Sequence, residues 1–412
     1  MAPPALSPPS GIFRSLRHWN FRLWFYGQLI SLIGTWMQTI AQNWLVYHQL
    51  GGTARDLGMV NFLGAVPLIP LTLFAGAIAD RLSRRWIVFW MQAVMMVLAF
   101  VLGVLCLTGM VQMWHVMALA CLLGAAQALD APARQSFVVE LVGKEDLSNA
   151  ISLNSGIFHG ARIVGPAVAG ILVASVGIAA SFFINGASFL AVLAGLLMMH
   201  ATQFHPTRGA TREEGRDLLA GFRYFRDNRL PLGIALLVTV STLFAMPYQT
   251  LIPIYAKAVF KGGAGTYGAL MSAAGLGAVA GALYTASGSA IRRKGRLLVA
   301  SSLAFPLVLL LFAWCTTYWL SLALLFGVGF FFVLQSAPAN AILQSIVPDH
   351  LRGRVLAIYA GLFLGLMRVG SLIIGLLADR TSVQTAVAVT AVVALTLTAA
   401  VLIRFPEIRR DH

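Results

Sequence analysis

Stretches of about 20 consecutive apolar residues recur along the whole chain, and that recurrence leaves few folds open to it. A helix rises about 1.5 Å per residue, so roughly 20 residues match the ~30 Å hydrocarbon core of a bilayer. The runs lie near residues 22–47, 57–79, 86–108, 114–130, 150–174, 178–200, 231–255, 265–288, 297–315, 318–337, 355–378 and 383–404. Inside lipid each backbone polar group must be satisfied within its own element, so each run reads as a helix. The expectation is an all-α membrane protein with twelve transmembrane helices. Composition agrees: 59% of the 412 residues are hydrophobic and 10% are charged, whereas a soluble chain carries about a quarter charged.

The net charge of +15 would suit a nucleic-acid binder if the basic residues formed one patch. Instead they sort by loop. All but Arg55, Lys257, Lys261, Arg380 and the intramembrane Arg162 and Arg368 lie in the two tails or in loops on the tails' side. Basic loops stay cytoplasmic, which places both termini inside and leaves no role for nucleic acid. Every tryptophan except Trp36 falls toward a span end, as an interfacial belt would. The opening "MAPPALSPPS" lacks the basic start and apolar core of a signal peptide and reads as a cytoplasmic tail. Cys106, Cys121 and Cys315 lie in spans, where they serve as small packing residues, and no disulfide is expected. Without a Gly-rich nucleotide loop, a metal-ligand cluster or a soluble catalytic domain, the chain reads as a non-enzyme with no cofactor.

The longest polar interval, 201–229, separates six spans from six. The expected organisation is a tail (1–20), a six-helix bundle (21–200), a linker (201–229), a second six-helix bundle (230–404) and a short tail (405–412). Within the linker Leu218, Leu219, Phe222 and Phe225 fall on one side of a helix, which suits the membrane surface. The two halves echo each other. "APARQSFVVELVGKEDLSNA" (131–150) returns as "APANAILQSIVPDHLRGRVLA" (337–357), and the spacing from Pro132 to Pro338 equals that from Arg162 to Arg368. Two similar halves around a mid-membrane site is a transporter plan.

The motifs narrow this further. "GAIADRLSRR" (76–85) resembles the loop between the second and third helices of the major facilitator superfamily. Gly76, Asp80, Arg81, Arg84 and Arg85 match that pattern, and Ser83 stands where glycine is usual. The resemblance implies a cytoplasmic gate, with Asp80 at the positive N-terminus of the eleventh helix near Gly353–Val355. A tight basic turn that only satisfies topology is the alternative. In the second half Arg292 replaces the aspartate, so gating is expected to be asymmetric.

"SGIFHGARIVGPAVAGIL" (155–172) is similar to the family's antiporter signature: Gly165, Pro166 and Gly170 match, while Ala161 and Ala169 replace glycines. With "LRHWNFRLWFYGQLIS" and "LLAGFRYF", the chain resembles the enterobactin-exporter and macrolide-efflux branch over essentially its whole length. That resemblance implies a monomeric exporter of amphipathic small molecules in a bacterial cytoplasmic membrane, exchanging cargo for protons. A lipid or lysolipid flippase, an importer of organic anions, and a receptor or scaffold without transport are the competing readings.

On their own chemistry, Gly165, Pro166 and Gly170 suit a packed hinge, because Pro166 removes a backbone hydrogen bond and small residues admit a close neighbour. Gly156, Gly160 and Ala167 share a face and are expected to meet a neighbouring helix. Arg162 and Arg368 have no acid at mid-span to answer them. Two readings stay open: they receive an anionic cargo, or they hold backbone carbonyls, Gln side chains or water. For protons, Asp130 and His159 are the candidates. Asp130 has an alternative partner in Arg134 one turn later, and His159 has the alternative of plain packing. The arginine common on the family's fourth helix is Cys121 here, and the branch's usual proline near Arg368 is missing, so the family's proton route does not transfer directly. In this fold the first, fourth, seventh and tenth helices line the cavity. Their contributions are Trp36, Gln38 and Gln42, then Gln127, then Phe244, Tyr248 and Gln249, then Gln335. Such hydrogen-bonders among aromatic surfaces suit an adaptable, mostly apolar pocket.

Overall fold

The computed structural model describes residues 11, 13–68, 70–71, 82–205, 218–286 and 294–409, and every regular element among them is helical. In the first half, α1 (Trp19–Trp44) ends in a π-helical turn at Leu45–Gln49. α2 opens as Ala54–Leu63, capped reciprocally by Thr53 and Asp56. There follow α3 (Arg84–Leu107), α4 (Met113–Val142), α5 (Leu147–Ser175) and α6 (Ile178–Met198). A linker helix, Leu218–Asp227, leads to the second half. That half holds α7 (Arg229–Val259), α8 (Ala264–Ala286), α9 (Lys294–Ala313), α10 (Tyr318–Ile346), α11 (Asp349–Arg380) and α12 (Val383–Arg404). Pro247 and Pro253 interrupt α7, which passes through π and 3-10 turns between Ser241 and Val259.

Eleven of the twelve apolar runs fall on described helices, the run at 57–79 is described only at its start, and ten helices among the described residues are long and apolar enough to cross a membrane. α1 has the length, 26 residues, but its Asn, Gln, Ser and Thr residues dilute its apolarity. The described start of α2 has 10 residues. The fourth and tenth spans were expected to end at 130 and 337; α4 and α10 instead continue through Pro132 and Pro338 to Val142 and Ile346. At 30 and 29 residues they are about 45 Å long, longer than the hydrocarbon core. The apolar run ends where the helix leaves the lipid, not where the helix ends.

In the first half α1 packs on α5 and α6, and α3 on α4 and α6; in the second α8 packs on α10, and α9 on α10 and α12. The chain alternates direction, so both termini and the linker lie at one end, the terminal end. Across the halves α5 lies on α8 and α2 on α11, and these contacts concentrate at the opposite, far end. They are backbone to backbone. A Cβ added to Gly268 would sit 2.6 Å from the Pro166 carbonyl oxygen, one on Gly375 2.5 Å from that of Ala54, and one on Gly275 3.1 Å from that of Arg162. Gly170 approaches the Ala264 carbonyl in the same way, while Gly165 admits Trp36 and Ile33 of α1. Asp379, on the last turn of α11, accepts from the Thr53 hydroxyl at 3.1 Å and from the Arg55 N–H at 3.4 Å. The second half thereby caps the N-terminus of α2 in the first.

Toward the terminal end the contact opens. Among the described residues, no atom stands within 4 Å of a Cβ placed on Gly156, Gly160, Gly353, Gly361 or Gly365. The expected face of Gly156 and Gly160 therefore meets no helix among the described residues. The linker helix also turns differently from expectation. Gly221 and Phe225 are buried, with Gly221 against Arg354 and Ile358 of α11, whereas Phe222 is 56% exposed. The contact with α11, absent from the sequence pattern, decides the helix's rotation.

If the α2 cap holds the far end shut, Asp379→Ala weakens the seal by about 0.5–2 kcal/mol. In a cysteine-free background, maleimide labelling of a cysteine at the buried Ser371 is then expected to speed up several-fold, and an unchanged rate would count against the cap.

Candidate functional site

Between the halves lies a polar recess of about 100 Å³. Thr35, Gln38, Thr39, Gln42 and Asn43 of α1, Asn61 of α2, Gln127 of α4, Asn185 and Phe189 of α6 and Arg368 of α11 line it. It is too small for a drug-sized molecule, which needs several hundred Å³. A shallower cavity of about 460 Å³ sits at the far rim, lined by Trp44, His48, Val173, Lys257 and Ala264.

The paired arginines behave differently. Arg368 donates to the Asn61 carbonyl at 3.4 Å, tying α11 to the point where α2 leaves regular helix. Arg162 makes no hydrogen bond and no ion pair among the described residues. Its guanidinium lies over the Trp36 ring at 5.6 Å and the Phe332 ring at 5.9 Å. Trp36 is itself edge-on to Phe158 at 5.8 Å. Tyr248 of α7 stands within electrostatic range of Arg162.

Several of the expected cavity residues prove to be helix ties. Gln335 is buried and exchanges hydrogen bonds with Ser241, at 2.7 and 3.0 Å, joining α10 to α7. Its amide is used up, which corrects its placement in the cavity wall. Gln38 accepts from Asn185, joining α1 to α6 at the edge of the recess. Tyr248 is fully buried with its ring edge-on to Phe312, while Phe244 and Gln249 beside it are half-buried. Gln42 and Gln127 are half-buried recess residues.

Asp130 is buried and ion-paired with Arg134, and Gln92 donates to it at 3.2 Å; Arg134 also donates to Gln28 at 3.4 Å. The local alternative named for Asp130 is thus the arrangement present. This network of α1, α3 and α4 holds the carboxylate in the interior of α4, with Arg134 partly exposed. His159 is half-buried, edge-on to Phe158, and its Nδ1 has no hydrogen-bond partner among the described residues.

Of the gate motif, Gly76, Asp80 and Arg81 lie outside the described residues. Arg84 pairs with Glu140 of α4 at 2.6 Å, and Arg85 donates to the Leu197 carbonyl of α6 at 3.3 Å. Both therefore brace the first half internally. Asp146 in the turn between α4 and α5 is 1% exposed and collects two arginines and a histidine from the 3-10 turn Arg14–Arg17 and the residue after it. These are Arg14 at 2.6 Å, Arg17 at 2.9 Å and His18 at 2.7 Å. Ser15 completes the strap, its N–H donating to Asn149 and its hydroxyl to the Asp146 carbonyl.

Comparison with known proteins decides what kind of molecule this is. The transmembrane secretion effector family of major facilitator proteins matches residues 10–411. The chain belongs to that family. It is 26% identical over 371 residues to the staphyloferrin A transporter of Staphylococcus aureus, covering 87% of this chain and 89% of the relative. It is likewise 26% identical over 362 residues to the multidrug efflux pump Tap of Mycolicibacterium fortuitum, covering 86% and 88%. With the enterobactin exporter EntS of Shigella boydii it shares 27% identity over 342 residues, covering 82% and 80%. Among solved structures, a bacterial homologue of the human lysosomal transporter Spinster, inward-facing and unoccupied, superposes with a TM-score of 0.72 at 11% identity, covering 95% of this chain and 99% of that one. The nucleoside transporter NupG gives 0.72 at 15% identity, with the same coverages. At such identities the structures establish the shared fold.

For this secretion effector, reading the residues in order missed Asn61, Asn185, Phe332 and the Asp146 strap. Phe332 sits in "GFFFVLQ", where nothing separates the ring that reaches Arg162 from those that face lipid. Asp146 stood in plain view as an acid beside a loop, but its partners lie more than a hundred residues away. Burial would raise its pKa. The hydrogen bond with His18 and the charges of Arg17 and Arg14 outweigh that and hold the carboxyl below its ordinary value. A depressed folded pKa means that Asp146's contribution is complete above the unfolded carboxylate value of about 4 and fades only as pH falls through the folded one. Between pH 8 and pH 5 its contribution should stay constant. Asp146→Asn is expected to loosen the strap by about 1–3 kcal/mol, read at pH 8 as faster tryptic cleavage after Arg14 and Arg17; equal cleavage would remove the strap from the account.

Proposed function

We propose that this protein is a secondary active exporter of amphipathic small molecules, of drug or siderophore type, working by alternating access in exchange for protons. It acts as a monomer in the bacterial cytoplasmic membrane with both termini inside. The observation that carries the reading is the one-ended contact between the halves. They are joined at the far end by glycine-to-carbonyl packing and, among the described residues, parted at the terminal end, where Gly156, Gly160 and Gly361 face open space. With the basic residues marking the terminal end as cytoplasmic, the form described is loaded from inside. Relatives named for siderophore and drug transport support the direction and the cargo class.

Discharge to the outside requires the far-end contacts of α5 with α8 and α2 with α11 to part while the terminal end closes. In closing, Gly156 and Gly160 find the neighbour they lack here; Asp80, outside the described residues, is the proposed latch at the start of α11. Gly165, Pro166 and Gly170 lie within the moving contact, so the kinked segment acts as the hinge. For the proton, Asp130 is the buried carboxylate that Arg134 links toward the opening, and His159 is the second titratable group on the gap-facing helix.

The test is uptake into inverted vesicles under an imposed pH gradient, across siderophores, macrolides, anionic drugs and lysolipids. Gradient-driven accumulation of at least one small molecule is expected, and Asp130→Asn should leave transport that no longer responds to the gradient. Movement indifferent to the gradient in the unaltered protein would remove antiport, and movement of lysolipids alone would replace the exporter with a flippase.

A further inference from the structure

We propose that Arg162 is the anion-recognition residue between the two halves, and that its preferred cargo is an amphipathic aromatic molecule bearing a carboxylate or similarly compact planar anion. The inference rests on the exporter reading and names the substrate class for that same site.

A guanidinium carries five N–H donors in its plane and stays charged in proteins. Within a transmembrane helix such a charge costs several kcal/mol unless a partner or water meets it. Arg134 has Asp130, Arg84 has Glu140, and Arg368 has the Asn61 carbonyl. Arg162 alone of these four makes no hydrogen bond or ion pair among the described residues. Its contacts are rings, Trp36 at 5.6 Å and Phe332 at 5.9 Å. Rings engage the flat faces of a guanidinium and leave its edge, where the donors point, free to take a planar anion in bidentate fashion. The same rings offer apolar area to the rest of an aromatic cargo.

Position supports the assignment. On the far side of Arg162 the halves are in contact: Gly275 of α8 lies against the Arg162 carbonyl, and Ser272 donates to the Ile163 carbonyl at 3.1 Å. On the terminal side, Gly160 and Gly156 of the same helix face open space. Arg162 therefore stands at the floor of the opening, where the seal begins. The rings around it come from both halves, Trp36 from α1 and Phe332 from α10, with Tyr248 of α7 close by. An anion bound there touches both halves at once. Arg368 occupies the matching place in the repeat but holds the α2 carbonyl, so the sequence pair divides into one binding residue and one tie.

The experiment measures binding of 2-naphthoate and its uncharged isostere 2-naphthamide to the purified full-length protein by titration calorimetry. The unaltered protein should bind naphthoate at least ten-fold more tightly than naphthamide. Arg162→Gln should abolish that preference by weakening naphthoate alone, and Arg162→Lys should keep part of it. Retained naphthamide binding certifies that the Arg162→Gln variant is folded; if it is not, Arg162→Lys and Trp36→Leu must each reduce the preference. No naphthoate binding, no preference in the unaltered protein, or a preference that survives Arg162→Gln would overturn the proposal. Vesicle transport separates the two claims. Gradient-driven export without an anion preference defeats this inference alone, and an Arg162-dependent preference without export defeats the exporter reading alone.

Discussion

Everything in this molecule hangs on how two helical bundles can hold together in lipid. Hydrocarbon surrounding a helix is as apolar as the helix, so no hydrophobic force draws the halves into contact. What remains is close backbone approach and polar contact. The far end supplies both: Gly268, Gly275 and Gly375 each bring a backbone against a carbonyl of the opposite half, and Asp379 caps α2 across the boundary. Such an interface is adhesive only while the backbones touch. It can be made or broken as a unit, which a large interdigitated apolar interface cannot.

Within each bundle the interactions are of another kind. Gln335 with Ser241, Gln38 with Asn185, and Asp130 with Arg134 and Gln92 are buried polar ties among helices of one half. The Asp146 strap and the Arg84–Glu140 pair brace the first half at its terminal end. Rigid halves with a separable contact between them is the mechanical condition for rocking about a site between them. On the proposed reading Arg162 binds cargo beside that separable contact, so a ligand there would act on the equilibrium between the two arrangements and not only on occupancy.

The fold was legible in the sequence because hydrocarbon permits so few solutions. Eleven of the twelve apolar runs fall on described helices, and the paired Pro132 and Pro338 both lie inside long helices, α4 and α10. Helix ends were not legible, since α4 and α10 run on past the lipid under polar residues that hydropathy reads as loop. The cavity was half legible. Gln42, Gln127 and Arg368 do line the recess, but nothing local distinguishes a glutamine facing a cavity from Gln335, which faces Ser241. Nor does any local signal separate Arg162 from Arg368, whose settings in the repeat are alike and whose partners lie on other helices. Glycines posed the same difficulty: Gly165 and Gly170 pack, while Gly156 and Gly160 earlier on the same helix meet nothing among the described residues.

The central claim is that the two ends of the contact between halves open and close in opposition. Its most direct test is a pair of distances measured by double electron–electron resonance in cysteine-free protein reconstituted in lipid. One spin-label pair, at Lys144 and Gly353, spans the terminal end; the other, at Met110 and Trp319, spans the far end. As pH is varied, with and without cargo, the account predicts that the first distance shortens as the second lengthens, each shifting between two populations. If both distances stay fixed, or both change in the same sense, the halves do not exchange access between the two ends and the account is wrong.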